Sequence, residues 1–580
     1  MSTRLIWLIA SAFALAAVAC GPSAPADGDG GGPDVTGGMC AGGATKCQGN
    51  TLVECVDGTF QLAEECANVC VDSLGCVLCE PGTGTCNGDM TTMCEDDGQG
   101  YIDVYCDPLQ GLGCNFELGV CAGDCAPQNI KKGYIGCEYY PTISANAVDQ
   151  NFTFAVAVSN TSASPANVHI EGGALVAPLQ FVAQPGTVEV RELPWVPELK
   201  ACNNAGGALE CGAPTNSSAL VADGAYHLRS DRPVTVYQFN PLNYVFGAQN
   251  SYSNDASLLL PVNAMTGNYY AASYPAWPGP LGNWPGLITV TGTKDGTQVT
   301  IATTANTDAG GGLPAFVAGT AQTITLNAGD VAQLFTTATG GDLTGTVVQA
   351  TEPVQVIGGH FCTQIPNGVT ACDHIEESIF PYEALDSRYI VTAPAIPTLP
   401  NGKIRIVRVV ATEPNTVLTY DPPQAGAPTT LAAGGAYFDI MNTRESFLIT
   451  ANHKILVNQY MEGSEAENSG IGDPAMALAV PVGQYRTDYQ FHAPQNYVTN
   501  YVDVVAPMSA TVLLDSAPLS GFTPIGNSGY GLLRVQLAFN GTGNYQIGAD
   551  EPFGIAVYGY GDWTSFWYPG GLDLSPIVIE

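Results

Sequence analysis

His360, Cys362, Cys372, Asp373, His374, Glu376 and Glu377 fall within one short stretch of the chain. Imidazoles, thiols and carboxyl groups at that density are the donor types of a metal centre or an acid-base pair. The spacing equally suits a disulfide clamp. In an oxidising compartment Cys362 and Cys372 join across a short loop, worth roughly 3 kcal/mol in the chain-entropy picture, and oxidised sulfurs no longer ligate zinc. The clamp is the expectation, with His360, Asp373 and His374 as polar residues bracketing the loop and with no metal or cofactor. Cys202 and Cys211 read as a second local staple. Cys137 is then left to pair with one of the cysteines before it.

Other chemistry is sparse. Cys76 and Cys79 form a Cys-x-x-Cys, but no second such pair and no His accompanies them, so zinc is not expected there. The chain has only 6 His and shows no Gly-x-Ser-x-Gly, no phosphate-binding glycine loop and no His-Glu-x-x-His. An enzyme is not expected, although paired carboxylates of the glycosidase kind leave no sequence signature. Aromatic residues in turn-rich context are the better candidates: Tyr274, Trp277 and Trp284 in SYPAWPGPLGNWPG, and Trp563, Phe566, Trp567 and Tyr568 in GDWTSFWYPGG. Trp277, Trp284, Trp563 and Trp567 could present flat faces to a sugar or a protein pocket. Alternatively they fold back as covers over the ends of the sheets.

The elements that must position these groups follow from composition. With 46% hydrophobic residues over 580 positions, the chain builds several packed domains. Its 17 Lys+Arg against 53 Asp+Glu give a net charge of -36, and no basic cluster occurs, which excludes a nucleic-acid partner. Thirteen of the 19 cysteines lie between Cys40 and Cys125. Cys40, Cys47, Cys55 and Cys66 are spaced much as Cys79, Cys86, Cys94 and Cys106 are, so residues 40–125 read as two tandem disulfide modules too small to fold on a core alone.

From about residue 134 the pattern becomes alternating strands bounded by Gly, Asn, Asp and Pro: NFTFAVAVSN, GLITVTG, GTQVTIAT, KIRIVRVV and NYVDVVAP. Sustained helical periodicity is absent, and 68 Gly with 40 Pro would break it. A similar strand entry recurs at Pro233, Pro353, Lys454 and Pro552. The fold class is therefore all-β, with about four tandem sandwich-like units of roughly 100 residues behind the disulfide modules. A closed ring of four is the alternative arrangement.

The amino terminus carries Arg4, an apolar run from Leu5 to Ala19, and small residues before Cys20. The run is too short to span a bilayer and reads as a cleaved export signal, residues 1–19. A cysteine at the cut resembles the lipobox of bacterial lipoproteins, although Ala17 departs from the more usual Leu. That resemblance implies lipidation of Cys20, a membrane contact through the lipid alone, and a place in the bacterial cell envelope; Gly21 resembles the residue type that lets such lipoproteins move on to the outer membrane, and the face they occupy, the cell surface included, is left open by the sequence. Residues 20–39, rich in Gly, Pro and Asp, read as a tether.

IGCEYY (135–140), YQFNPLN (237–243), SNDASLLLP (253–261), GTQVTI (296–301), GGHFCTQIPNGVTACDHIEE (358–377) and EPFGIAVYGYG (551–561) together resemble the N-terminal domain of the IgGFc-binding protein family. The resemblance covers residues 130–571 and leaves 572–580 as a tail. It implies a binding protein without a known reaction. The type D modules that animal members continue into are missing here, so their covalent assembly is not implied. The expected function is a surface- or envelope-anchored adhesion module for a protein or polysaccharide ligand. The alternatives are an envelope structural component or a polysaccharide-processing enzyme.

Overall fold

The computed structural model describes residues 40–201, 218–279, 282–370, 372–466 and 470–579. The export signal, the tether, Cys20, Cys202 and Cys211 lie outside the described residues. What is described is all-β, with helix confined to Pro197–Lys200 and five 3-10 turns. The described residues divide into two compact parts, those of 40–83 with 93–102, and those of 84–92 with 103–579.

In the smaller part Thr45–Gln48, Thr51–Val56 and Thr59–Glu65 form an antiparallel sheet. Its second hairpin turns on Asp57-Gly58, both at positive φ, the pair that a two-residue turn matching strand twist requires. Disulfides join Cys40 to Cys55, Cys47 to Cys70 and Cys66 to Cys76. The next six cysteines repeat that connectivity as Cys79–Cys94, Cys86–Cys114 and Cys106–Cys121. Cys125, the thirteenth, bonds to Cys137.

The larger part contains four sandwich-like units built on one plan. In the first, the long strand Tyr226–Asn240 serves two layers. Its front half pairs with Gly136–Tyr139 and Ala166–Gly172, and its back half with Phe154–Asn160 and Asp255–Leu258. Phe447–Met461 and Asn544–Gly561 do the same in the third and fourth units. In the second the strand is interrupted, as Val347–Ala350 and Val354–Thr363.

The recurring Pro233, Pro353 and Pro552 sit where this strand passes between layers. Proline cannot donate to a ladder, so the change of partner falls where a backbone hydrogen bond is already missing. A buried tyrosine secures each crossing: Tyr139, Tyr269 and Tyr389 donate to the carbonyls of Val234, Val354 and Ile455 at 2.6, 2.7 and 2.6 Å, and Tyr489 donates to that of Phe553. Lys454 replaces proline in the third unit and donates instead to the carbonyl of Glu383 at 2.7 Å.

Each unit ends in a short buried strand: Asp255–Leu258, Asp373–Ser378, Ala475–Leu478 and Thr564–Pro569. Each packs on the next and the last packs on the first, which closes the four units into a ring. One hydrophobic cluster runs through all four units, from Tyr134 to Leu574.

Candidate functional site

The axis of the ring is polar. Asp255, fully buried, accepts from the backbone amide of Ala256 at 2.9 Å and from those of Glu376, Met476 and Trp567 at 3.1, 3.1 and 3.2 Å. One carboxyl group thus binds amides of all four closing strands. Thr564 bridges Asn254 at 3.1 Å and Asp373 at 3.2 Å beside it.

Apart from part-buried Cys372, the cluster singled out by sequence is shut off from solvent. Cys362 and Cys372 are bonded to each other. His360, Asp373, His374, Glu376 and Glu377 are all buried. Glu376 accepts from Gln238 at 2.8 Å, from Asn240 at 2.9 Å and from Ser144. Burial would raise its pKa, but hydrogen bonds from His374, Ser144 and Asn240, with the nearby imidazole charge, outweigh it and hold the group low. Ser144, His374 and Glu376 have the residue types of a nucleophile triad. Both partners nevertheless meet the same nitrogen, His374 Nε2, at 3.4 and 3.3 Å, whereas a triad places the acid on the other nitrogen. Among the described residues no three His, Cys, Asp or Glu converge to hold a metal.

The aromatic candidates correct the expectation of displayed rings. Trp277 and Trp284 face each other across a hairpin, 5.6 Å apart edge to face, and pack with Phe361 and Cys362. Trp277 Nε1 donates to the Cys362 carbonyl at 2.7 Å. Trp567 is enclosed by Met461, Tyr501, Tyr558 and Tyr560. Phe566 and Tyr568 are buried, and Tyr274 lies under Tyr460. The Pro/Gly turns fold these rings inward because large aromatic surfaces gain most from leaving water. Trp563 alone of the four tryptophans is half-buried, on a turn at positive φ.

The ring axis also carries a pH response. Burial raises Asp373 and Glu377 well above the ordinary carboxylate range. Neighbouring carboxylates add to the rise: Asp473 and Asp255 at Asp373, and Asp255 at Glu377. Their unfolded values sit near 4, so the folded chain binds more protons and rising pH favours unfolding. His360, pushed down to about 3 by burial, and His492, also lowered by burial, act in the opposite sense only below about 6.5. Lys200 and Lys403, lowered by burial to about 8, act only above that value. The melting temperature of the body is expected to fall as pH rises from about 6.5 to about 8, and Glu377→Gln should flatten the slope. A melting temperature that climbs across this window would contradict the assignment.

An open concavity lies elsewhere, at the seam where the fourth unit meets the first. Two adjoining cavities of about 310 and 260 Å³ share Gln490 and Gln546. The first unit contributes Tyr134, Ser159, Thr161 and Thr187, and the fourth adds Asp488, Leu513, Asp515 and Asn544. Asp515 and Ser516, both at positive φ, form the two-residue turn between paired Leu514 and Ala517 and so project from a fixed hairpin. Ser159 donates to Gln490 Oε1 at 3.0 Å, and Asp515 Oδ1 accepts the Gln546 amide at 2.9 Å. These residues were not singled out by sequence. They are ordinary surface types from distant repeats, and only ring closure brings them together.

Comparison with known proteins accords with this architecture. Residues 255–559 match the family described as IgGFc binding protein, just over half of the chain. A human protein, IgGFc-binding protein, is 29% identical over 174 residues, which is 30% of this chain and 3% of that protein. No solved structure matches. The matched segment begins at the first closing strand and ends in the last long strand, and the chain belongs to the IgGFc-binding protein family.

Proposed function

We propose that the chain is a lipid-anchored envelope protein whose four-unit ring is a binding module for an extracellular partner, with no reaction of its own. Membership of a family named for binding is the observation that carries this reading. The family domain is read as reaching back to about residue 134, because the crossing plan, with its proline and tyrosine, already occurs at Pro233 and Tyr139. Fc binding is not transferred, since the aligned stretch is 3% of the human protein. The anchor rests on Cys20 and the small residues before it, and the outer-membrane location on Gly21 after it; exposure at the surface is the part that protease treatment decides.

Protease treatment of intact cells tests the placement. The body is expected to be cleaved while a periplasmic control survives. Protection in intact cells with digestion after lysis would make it a periplasmic structural component instead.

A further inference from the structure

The seam groove has a lining that selects a ligand chemistry. Neither cavity includes a Lys, Arg or His among its walls. The cation beside it, Arg486, lies 3.8 Å from Asp488 but is committed to Asp573 and to the face of Tyr134. With Asp488 and Asp515 in the walls and a chain of net charge -36, phosphates, sulfates and uronates are repelled.

The remaining groups are side-chain amides and hydroxyls, which both donate and accept. Gln490 spends its carbonyl on Ser159 Oγ, which leaves its two amide hydrogens unspent among the described residues. Asp515 commits Oδ1 to a backbone amide and keeps a second oxygen for a donor. Leu513, 41% exposed, and Ile547 add an apolar wall beside these polar groups. Amides and a carboxylate that take adjacent hydroxyls, next to a wall for C–H groups, match a pyranose ring, which has polar edges and apolar faces. The larger cavity reaches the lower end of the size range of small-ligand sites, roughly 300–1,000 Å³, and the second continues it.

We propose that the groove between the first and fourth units binds neutral oligosaccharide, with Gln490, Gln546 and Asp515 holding sugar hydroxyls and Leu513 lying against a ring face. This rests on the binding-module reading and names its ligand class. Ring closure builds the site, since neither unit alone supplies both walls.

Titration calorimetry of the full chain with malto- and cello-oligosaccharides, and with a galacturonate oligomer as the anionic counterpart, tests it. Binding of a neutral series is expected. Gln546→Ala, at an exposed position that leaves the core untouched, should weaken it about tenfold or more, which corresponds to the loss of a ligand hydrogen bond. The galacturonate oligomer should show no binding. Tighter binding of the galacturonate, equal affinity for Gln546→Ala and the parent chain, or no binding of any neutral series would overturn the groove assignment. Retention on isolated envelopes of the full chain carrying Cys20→Ser, so that no lipid holds it, measured with and without the oligosaccharides, separates the two levels. Retention without any sugar binding overturns the groove while the binding module stands; no retention with no sugar binding overturns both.

Discussion

Asp255→Ala is expected to abolish folding of the 134–580 body, seen as protease-sensitive, poorly soluble protein with no cooperative melting transition. The reason lies in the number of amides that depend on one side chain. Ala256, Glu376, Met476 and Trp567 each give their backbone N–H to this carboxyl group, and all four residues are buried. An orphaned buried donor costs about 1–3 kcal/mol, so losing four partners costs about 4–12 kcal/mol, at or beyond the roughly 4–5 kcal/mol at which a single substitution becomes exceptional. Asp255→Asn should fall between alanine and the parent. Its carbonyl oxygen still accepts, while its NH₂ faces amides that need an acceptor. A variant of alanine at 255 that melts within a few degrees of the parent would show that the ring closes without this carboxyl group.

The same residue explains how much of the fold was legible in the sequence. Strand alternation, turn residues and the recurring Pro233, Pro353 and Pro552 are local signals, and they imply four similar units directly. Closure of the ring is not local. Asp255 reaches amides 121, 221 and 312 residues away, and nothing in SNDASLLLP announces those partners. The His360–Glu377 stretch was visible as a concentration of functional groups. Whether such groups face a solvent cleft or an axis is decided by the other three units, and here they face the axis. The choice between displayed and folded-back tryptophans is open in the sequence for a related reason. Pro/Gly turns signal a loop, but the hairpin of Trp277 and Trp284 folds down onto Phe361, a neighbour supplied by another strand.

The family match adds a constraint on what the ring does. A match that begins at Asp255 and ends at Gly559 starts at the first axial strand and takes in the second and third and the long strand that carries the fourth. What is shared is therefore three of the four closing strands, the last, Thr564–Pro569, lying just beyond the match. The seam groove draws one wall from residues before 255, outside the matched segment. Ligand preference at that seam can thus differ among proteins that share the ring.

Reduction of the disulfides should separate the two halves of the design. The hydrophobic clusters all consist of residues from Tyr134 onward, and none draws on residues 40–125 among the described residues. In that stretch Leu62, Tyr105 and Phe116 are more than half exposed. Without a core, order depends on loops closed by bonds spanning 15, 23 and 10 residues in the first module, and 15, 28 and 15 in the second. A loop of about 15 residues restricts the unfolded chain by roughly 3 kcal/mol, so losing three bonds per module removes more than a segment of this size retains. Limited proteolysis with a thiol reductant should cut residues 40–125 rapidly. The body, which keeps its large core and among the described residues holds Cys362–Cys372 as its one internal disulfide, should resist under the same conditions. Equal resistance of the modules before and after reduction would mean that the short sheets and their turns suffice. That outcome is the opposite of what the burial of Val53 and Val77 among cysteines implies, since two valines and the sulfurs around them are nearly all that the first module removes from water.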